Sequence, residues 1–232
     1  MDAILEGLCQ AFWLIVRGDP GVLEITWRTV QVSGTAMLIS LVVGVPLGTL
    51  LALTRFPGRG LVASLVNTGM GLPPVVVGLF VALLLWRSGP LGSLHLIYTP
   101  AAMIAAQAII AAPIVTGFSM AAIQQLDPRL RLQLLGLGAS RAQLLLVLWW
   151  EARLPLLAAA MAGFGGAISE VGASMMVGGN IVGQTRVLTT ATVLETGKGN
   201  FSLAMALGLI LLLLSYLIMF GMTWLQQRGA HR

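Results

Sequence analysis

The run WRTVQVSGTAMLISLVVGVPLGTLLAL, residues 27–53, decides the fold class of this chain. A helix that crosses a bilayer needs about 20 consecutive, mostly apolar residues, and this run is long enough. Four further apolar runs cover residues 61–86, 98–123, 149–169 and 201–225. The sequence therefore predicts an all-α integral membrane protein with about five transmembrane helices.

The composition excludes an ordinary soluble protein. Hydrophobic residues make up 57% of the chain and charged residues 9%, with a mean hydropathy of +0.93, whereas about a quarter of the residues of a soluble domain are charged. We expect a single membrane domain over residues 1–232. The pI near 10.7 does not indicate nucleic acid, because the basic residues lie between apolar runs, where they set topology.

Cysteine and histidine are too sparse for a disulfide framework or a metal site. Cys9 has no second cysteine, and His95 and His231 lie far apart without a cluster of acids around them. A membrane enzyme is the weakest functional class, since no clustered His, Asp or Ser–His arrangement appears. We expect no metal, no cofactor and no catalytic residue.

The distribution of basic residues predicts how the chain is oriented in the membrane. The side expected to be cytoplasmic carries Arg55, Arg59, Arg129, Arg131, Arg141, Arg153, Arg228 and Arg232. The other side carries Arg17, Arg28, Arg87, Arg186 and Lys198, roughly balanced by acids. We therefore expect a multi-pass protein of the plasma (inner) membrane, with the N-terminus outside and the C-terminus cytoplasmic.

Residues 1–18 precede the first long apolar run and show helical periodicity. Ile4, Leu5, Leu8, Phe12 and Ile15 recur at helical spacing, and Trp13 suits the headgroup level. The pattern predicts an interfacial helix, and a segment packed against the bundle is the alternative. The early acids Asp2 and Glu6 lead us to expect no cleaved signal peptide.

Small residues and prolines interrupt two of the apolar runs. Residues 44–48, GVPLG, combine a small-xxx-small spacing with a proline, which is typical of closely packed membrane helices. Residues 69–74, GMGLPP, lie near the middle of the second run and predict a break there. Broken helices often mark a transport pathway.

A polar stretch at residues 124–143 separates the third and fourth runs. Asp127-Pro128 can start a helix, leucines follow at helical spacing, and Gly138-Ala139-Ser140 indicates a turn before a second helix. Such a helix pair can dock into a groove on a partner, and an ordinary surface connector is the alternative. The candidate contact residues are Asp127, Arg129, Arg131, Leu134, Leu137, Gly138, Ala139 and Ser140.

The stretch GGAISEVGASMMVGGNI, residues 165–181, places the carboxylate of Glu170 among small and apolar residues. An ionisable group at membrane depth is costly, so Glu170 is a functional-site candidate. It suits a structural or gating role, paired with an arginine or backbone amides, or a proton relay. Met175 and Met176 fit a flexible apolar constriction, with plain packing as the alternative.

The turn at residues 137–140, LGAS, and the stretch GGAISEVGASMMVGGNIVGQTRVLTTATVLE, residues 165–195, resemble permease subunits of ATP-binding-cassette importers. The resemblance is to the molybdate, tungstate and sulfate branch, most closely the tungstate type. It implies the type I importer permease fold, called MetI-like, and contact between residues 124–143 and an ATPase. Two features depart from the family pattern: Leu132-Gln133-Leu134 replaces Glu-Ala-Ala, and Leu154-Pro155 falls about one turn late.

The chain lacks a Gly-x-x-x-x-Gly-Lys-Ser/Thr phosphate loop, so ATP hydrolysis belongs to another chain. The resemblance implies two copies of this chain in the lipid bilayer around one pathway. It also implies two ATP-binding subunits beneath them and a periplasmic or lipid-anchored binding protein outside. The function it implies is import of tungstate by alternating access, with molybdate or sulfate as alternatives. From another class, a proton-coupled secondary transporter centred on Glu170 remains an alternative.

An oxyanion needs amide N–H groups, hydroxyls or cations along its path. Residues 171–200, which we expect to form a re-entrant or periplasmic segment, supply all three. The candidate lining residues are Ser174, Gly178, Gly179, Asn180, Thr185, Arg186, Thr189 and Thr190. The alternative is that the glycines only make a re-entrant turn and the threonines cap a short helix.

Overall fold

The computed structural model describes residues 2–230 of the chain, with side chains from residue 5 to residue 228. The predicted cytoplasmic positions of His231 and Arg232 lie outside the described residues, as do the side chains of Asp2 and Ile4. The described part is all helical, as predicted. Its helices are α1 (Asp2–Arg17), α2 (Pro20–Leu53), α3 (Arg59–Met70), α4 (Pro74–Leu85), α5 (Pro100–Gln124), α6 (Pro128–Gly136), α7 (Arg141–Glu151), α8 (Arg153–Ile168), α9 (Gly172–Gly178), α10 (Leu188–Gly197) and α11 (Phe201–Ala230), with a 3-10 turn at Gly92–Leu94.

Three of these helices, α2, α5 and α11, are each long and apolar enough to cross a membrane. Two bent helix pairs meet the same criteria when each pair is taken together. α3 and α4 meet at 103°, and α7 and α8 meet at 73°. Counting each pair as one span gives up to five, which agrees with the predicted number.

The break between α3 and α4 falls within the GMGLPP stretch, as predicted. The bend between α7 and α8 falls at Ala152, inside the run 149–169 that was expected to form one continuous span. Pro155 explains its position, because a proline ring clashes with the carbonyl four residues earlier, here that of Glu151. The helix is therefore interrupted one turn before the proline.

The centre of the bundle is the packing of α2 against α5, where two glycines of α2 face the α5 backbone. A Cβ added at Gly48 would lie 2.5 Å from the carbonyl oxygen of Thr116, and one at Gly44 would lie 2.8 Å from Val115. Any side chain there would force the helices apart. The small-xxx-small spacing of residues 44–48 thus has the close-packing role predicted from sequence.

The N-terminal helix α1 packs against α11 on one face and exposes the other. The Ser202 hydroxyl donates to the Glu6 carboxylate at 3.0 Å, and Gly7 sits directly against Met205. Phe12 and Trp13 are exposed. One face of α1 is therefore packed on the bundle, as in the alternative interpretation. The location of its other face at the membrane interface stays a prediction.

Candidate functional site

The break between α3 and α4 and the break between α8 and α9 lie side by side, and we call these the two helix breaks. α9, which follows the break after α8, packs against α4, which follows the break after α3. A Cβ added at Gly172 would lie 2.5 Å from Val75, and one at Gly78 would lie 2.5 Å from the Cα of Ala173. Discontinuous helices that meet in this way are a common construction of substrate paths in transporters.

Glu170 occupies the break between α8 and α9, and only 6% of its surface is exposed. Its Oε1 accepts the N–H of Ala173 at 2.8 Å, three residues along the chain. The carboxylate therefore satisfies a free amide in the first turn of α9 and lies at the positive end of that helix. Of the two pairings expected for Glu170, an arginine or backbone amides, the structure contains the amide.

The segment after Glu170 is held together by its own threonines. The Thr185 hydroxyl accepts the Ile181 N–H at 2.9 Å and donates to the Gly178 carbonyl. The Thr189 hydroxyl donates to the Glu170 carbonyl oxygen at 3.2 Å. The side chains of Glu170, Thr185 and Thr189 are all buried. We call residues 170–190 the interlocked segment.

Asn180 and Thr190 close the other end of the interlocked segment. The Thr190 hydroxyl lies 3.0 Å from Asn180 Oδ1 and accepts the Val187 N–H at 3.1 Å. Asn180 Nδ2 donates to the Thr190 carbonyl oxygen at 3.3 Å. Asn180 has a φ of 51°, the left-handed conformation that asparagine tolerates better than most residues. These hydrogen bonds use the polar groups of Asn180 and Thr190, which the sequence indicates as candidate anion ligands. Their role in a pathway stays a prediction.

Arg186 lies within this network rather than apart from it. Its Nε donates to Asn180 Oδ1 at 3.2 Å. The side chain borders a cavity of about 330 Å³ that Asp19 and Glu195 also line. Its immediate surroundings therefore include two carboxylates, which weaken the attraction of this cavity for a dianion.

Glu195, at the C-terminal end of α10, is bound by Lys198 at 2.7 Å and by Asn200. The hydrogen bond from the Lys198 ammonium holds the pKa of this carboxyl below its ordinary value, against the opposing effect of burial. Glu195 is therefore charged at neutral pH.

Ser174 forms a buried bond that sequence reasoning missed. Gln107 of α5 donates from Nε2 to the Ser174 hydroxyl at 3.0 Å, which joins α5 to α9. Gln107 is 2% exposed, and its Oε1 has no hydrogen-bond partner in the described part of the chain. The sequence signal for this bond was the amide side chain of Gln107 in the middle of the apolar run 98–123.

The end of α9 is nested against the start of α5. Gly178 lies against the side chain of Met103, and Gly179, with φ of 67°, lies against the Tyr98 ring. The Tyr98 N–H donates to the Val177 carbonyl at 2.8 Å. Met176 is 39% exposed, while Met175 is half-buried. A constriction formed by these methionines stays a prediction.

A polar face of α3 was also missed. Ser64, Asn67 and Thr68 are exposed and lie three and four residues apart, on one side of the helix. Ser169, at the C-terminal end of α8, is exposed too. Gly69 and Gly166 lie against neighbouring residues of α5, Pro113 and Ile114, so the C-terminal ends of α3 and α8 pack at the same level of α5. The signal was a hydrophilic i, i+3, i+4 pattern within an otherwise apolar run.

The α6–α7 segment, residues 124–143, has the helix, turn and second helix that the sequence predicts. Asp127 accepts the Arg129 N–H at 2.8 Å and caps α6. Gly138 makes the turn with φ of 78°, and Ser140 begins α7 with a reciprocal hydrogen-bond pair to Gln143.

The surface of the α6–α7 segment combines two kinds of side chain. Leu134 packs with Leu144 and Leu148 beneath it, and Arg131 donates to the Leu53 carbonyl oxygen at 3.1 Å. Leu137 is 84% exposed, Leu132 is 69% exposed, and Ala139 is half-buried. An exposed apolar surface on a short helix pair is typical of a docking site.

The fold and the site define a class: an all-helical, multi-span membrane protein with two adjoining helix breaks and an exposed helix pair between α5 and α8. Residues 44–230 match the family described as the binding-protein-dependent transport system inner membrane component, and the chain belongs to this family. Family membership confirms the prediction of a transport subunit in the membrane.

Individual relatives agree with this assignment. The chain is 39% identical to the tungstate uptake system permease protein of Peptoclostridium acidaminophilum, over 94% of this chain and 96% of that relative. It is 42% identical to a probable anion ABC transporter permease protein of Haloferax volcanii, over 83% and 85%. The structure of a methionine ABC transporter in inward-facing conformations has a similar fold, with a TM-score of 0.71, 23% identity and coverage of 94% of this chain and 97% of that one.

Proposed function

We propose that this chain is the membrane-spanning subunit of an ATP-driven importer that takes up tungstate. The observation that carries the proposal is the 39% identity to a tungstate uptake permease over 94% of the chain. Molybdate and sulfate have the same tetrahedral shape and charge, so they are the alternative substrates.

The proposed assembly contains two copies of this chain, two ATP-binding subunits and an external binding protein. The α6–α7 segment supports the contact with the ATP-binding subunit, because Leu132 and Leu137 project from the chain without burial. A separate ATPase is also required by the absence of a phosphate loop from the whole sequence. The basic residues around this segment support its location on the cytoplasmic side.

The proposed mechanism is alternating access, with the α6–α7 segment as the input. α7 leads directly into α8 through the bend at Ala152, and α8 packs against α5 before it reaches Glu170. A movement imposed on α7 by closure of the ATP-binding subunits can therefore reach the helix breaks through α8. The movement would reach the interlocked segment through Glu170, which follows α8 and is hydrogen-bonded to Ala173 and Thr189.

The pathway is proposed to run along the two adjoining helix breaks, at the interface of the two copies. The exposed polar groups of Asn67, Thr68 and Ser169 offer hydrogen bonds there, and Met176 offers an apolar constriction. In this proposal, the eight candidate lining residues of the segment 171–200 chiefly support the wall of the pathway. Glu170, as the cap of α9, is assigned a structural role.

The test is transport by the complete complex, reconstituted in phospholipid vesicles with its ATP-binding subunit and binding protein. We expect tungstate uptake that requires ATP and survives collapse of the proton gradient. Uptake that follows the proton gradient without ATP would support the secondary transporter instead. ATP-driven uptake of molybdate or sulfate, with no tungstate uptake, would retain the permease and replace its substrate.

The pathway is tested separately with Asn67→Leu combined with Thr68→Val. Both residues are exposed, so we expect an unchanged thermal stability and a reduced rate of uptake. Leu65→Met is the control, because it changes an exposed residue of the same helix without removing a polar group. Uptake at the rate of the unmodified protein in the double variant would remove this face from the pathway.

A further inference from the structure

A groove lies between the C-terminal end of α2 and the helix pair α6 and α7. Its volume is about 570 Å³, and its walls are mostly apolar, with Leu50, Leu53, Leu144 and Trp149 among them. Two guanidinium groups, those of Arg131 and Arg141, also border it. The groove is separate from the two helix breaks and from Glu170.

The polar groups of the groove are arranged so that the cations remain accessible. Trp149 is fixed by its indole N–H, which donates to the Thr49 hydroxyl at 2.9 Å. Arg131 uses Nη1 to reach the Leu53 carbonyl, and both arginines are exposed. The lining contains no carboxylate among the residues that the structure describes. The groove therefore presents positive charge next to an apolar channel.

We propose that this groove binds an anionic phospholipid of the adjoining leaflet. Its apolar walls suit an acyl chain, and a guanidinium pair suits a phosphate, to which arginine can donate two hydrogen bonds at once. Basic pockets between membrane helices at the cytoplasmic face recognise acidic headgroups for the same reason. A small soluble anion would make no use of the apolar walls, so the lipid is the occupant that fits both halves of the groove.

Because of the position of the groove, a bound lipid would contact two different parts of the chain. Its walls belong to α2 of the central bundle on one side and to α6 and α7 on the other. A lipid in place would add a further link between the bundle and the exposed helix pair, beside the Arg131–Leu53 and Trp149–Thr49 hydrogen bonds and the apolar packing beneath the pair. The lipid would therefore hold the helix pair in position at the membrane surface.

The proposal is tested on the complex with its ATP-binding subunit, reconstituted in equal parts of phosphatidylcholine and phosphatidylglycerol and then extracted in mild detergent. Retained phospholipids are counted by native mass spectrometry. We expect retained phosphatidylglycerol in preference to phosphatidylcholine. In Arg141→Gln, retention should fall about fivefold, which corresponds to about 1 kcal/mol for one basic residue near an acidic headgroup.

Two further variants separate a specific site from general charge attraction. Leu50→Trp fills the groove while leaving both arginines, and it should also reduce retention. Arg228→Gln removes an arginine expected on the same membrane face but outside the groove, and retention should not change. Equal retention in Arg141→Gln and Arg228→Gln would overturn the proposal. Unchanged lipid with loss of the ATP-binding subunit in Arg141→Gln would overturn it too, by assigning the groove to that partner.

Discussion

The interlocked segment, residues 170–190, and the α6–α7 segment, residues 124–143, are both short and irregular, but they differ in the burial of their side chains. In the first, Thr185 and Thr190 are completely buried and bonded to nearby backbone. In the second, Leu137 is 84% exposed, and the hydrogen bonds cap helix ends or, at Arg131, reach the Leu53 carbonyl. The difference separates a part that is fixed by hydrogen bonds within this chain from a part that we expect another protein to hold.

The largest expected effect is on the docking of α9, tested by Gly78→Leu. A Cβ at this position would lie 2.5 Å from the Cα of Ala173, a backbone atom that cannot turn aside. We expect a loss of about 3 kcal/mol in the free energy of unfolding, the upper end for overpacked sites. Thermal unfolding in detergent measures it.

Gly34→Leu is the matched control, because a Cβ at Gly34 meets nothing within 4 Å. Its thermal midpoint should stay close to that of the unmodified protein. If both leucine variants unfold at the same temperature, the close approach of α4 and α9 does not limit stability.

The second effect concerns the cap of α9. Glu170→Ala leaves the Ala173 N–H without its acceptor in a buried position, so we expect a loss of about 2 kcal/mol, at the upper end for a helix cap. Glu170→Gln keeps an acceptor oxygen and should recover most of that stability. Thermal unfolding of the pair measures the cap, and uptake by Glu170→Gln distinguishes it from a proton carrier, which would lose proton-dependent uptake with its stability intact.

The third effect belongs to the α6–α7 segment and leaves stability alone. Leu137→Asp removes an apolar side chain that we expect a partner to bury, which costs binding about 1.5 kcal/mol, roughly a tenfold loss of affinity. Capture of the ATP-binding subunit on immobilised permease measures it. Leu94→Asp changes another exposed leucine, in the 3-10 turn, and this variant should bind as before.

The smallest effect lies at the outer edge of α10. The lowered pKa of Glu195 means that the Lys198 contact stabilises the fold above the ordinary glutamate pKa of 4.5, and that this contribution is lost as pH falls through the lowered value. Lys198→Met should therefore reduce the thermal midpoint at neutral pH, and the two proteins should converge in acid. A constant difference at all pH values would assign the effect to packing.

Much of the fold could be predicted because membrane helices carry long, unambiguous patterns. The apolar runs predict the spans, residues 69–74 predict the first break, and Gly44 and Gly48 predict close helix packing at that point of α2, although not its partner α5. The bend at Ala152 was missed because the residue at the bend is an ordinary alanine. Its cause, Pro155, lies three residues further along the chain.

The site was less predictable, since a buried hydroxyl in sequence fits a ligand contact and a structural bond equally well. Thr29 accepts the Leu188 N–H from 159 residues away, and Gln107 binds Ser174 from 67 residues away. Such pairings depend on which helices become neighbours, and no local spacing encodes them. Exposure of Asn67 and Thr68 likewise depends on the face that α3 turns toward α5.

The most direct test of the division between the two segments measures stability and partner binding in the same two variants. Glu170→Ala should lower the thermal midpoint clearly while the protein that remains folded captures the ATP-binding subunit normally. Leu137→Asp should keep the thermal midpoint and lose capture about tenfold. The contrary result is Leu137→Asp with normal capture, or Glu170→Ala with an unchanged midpoint.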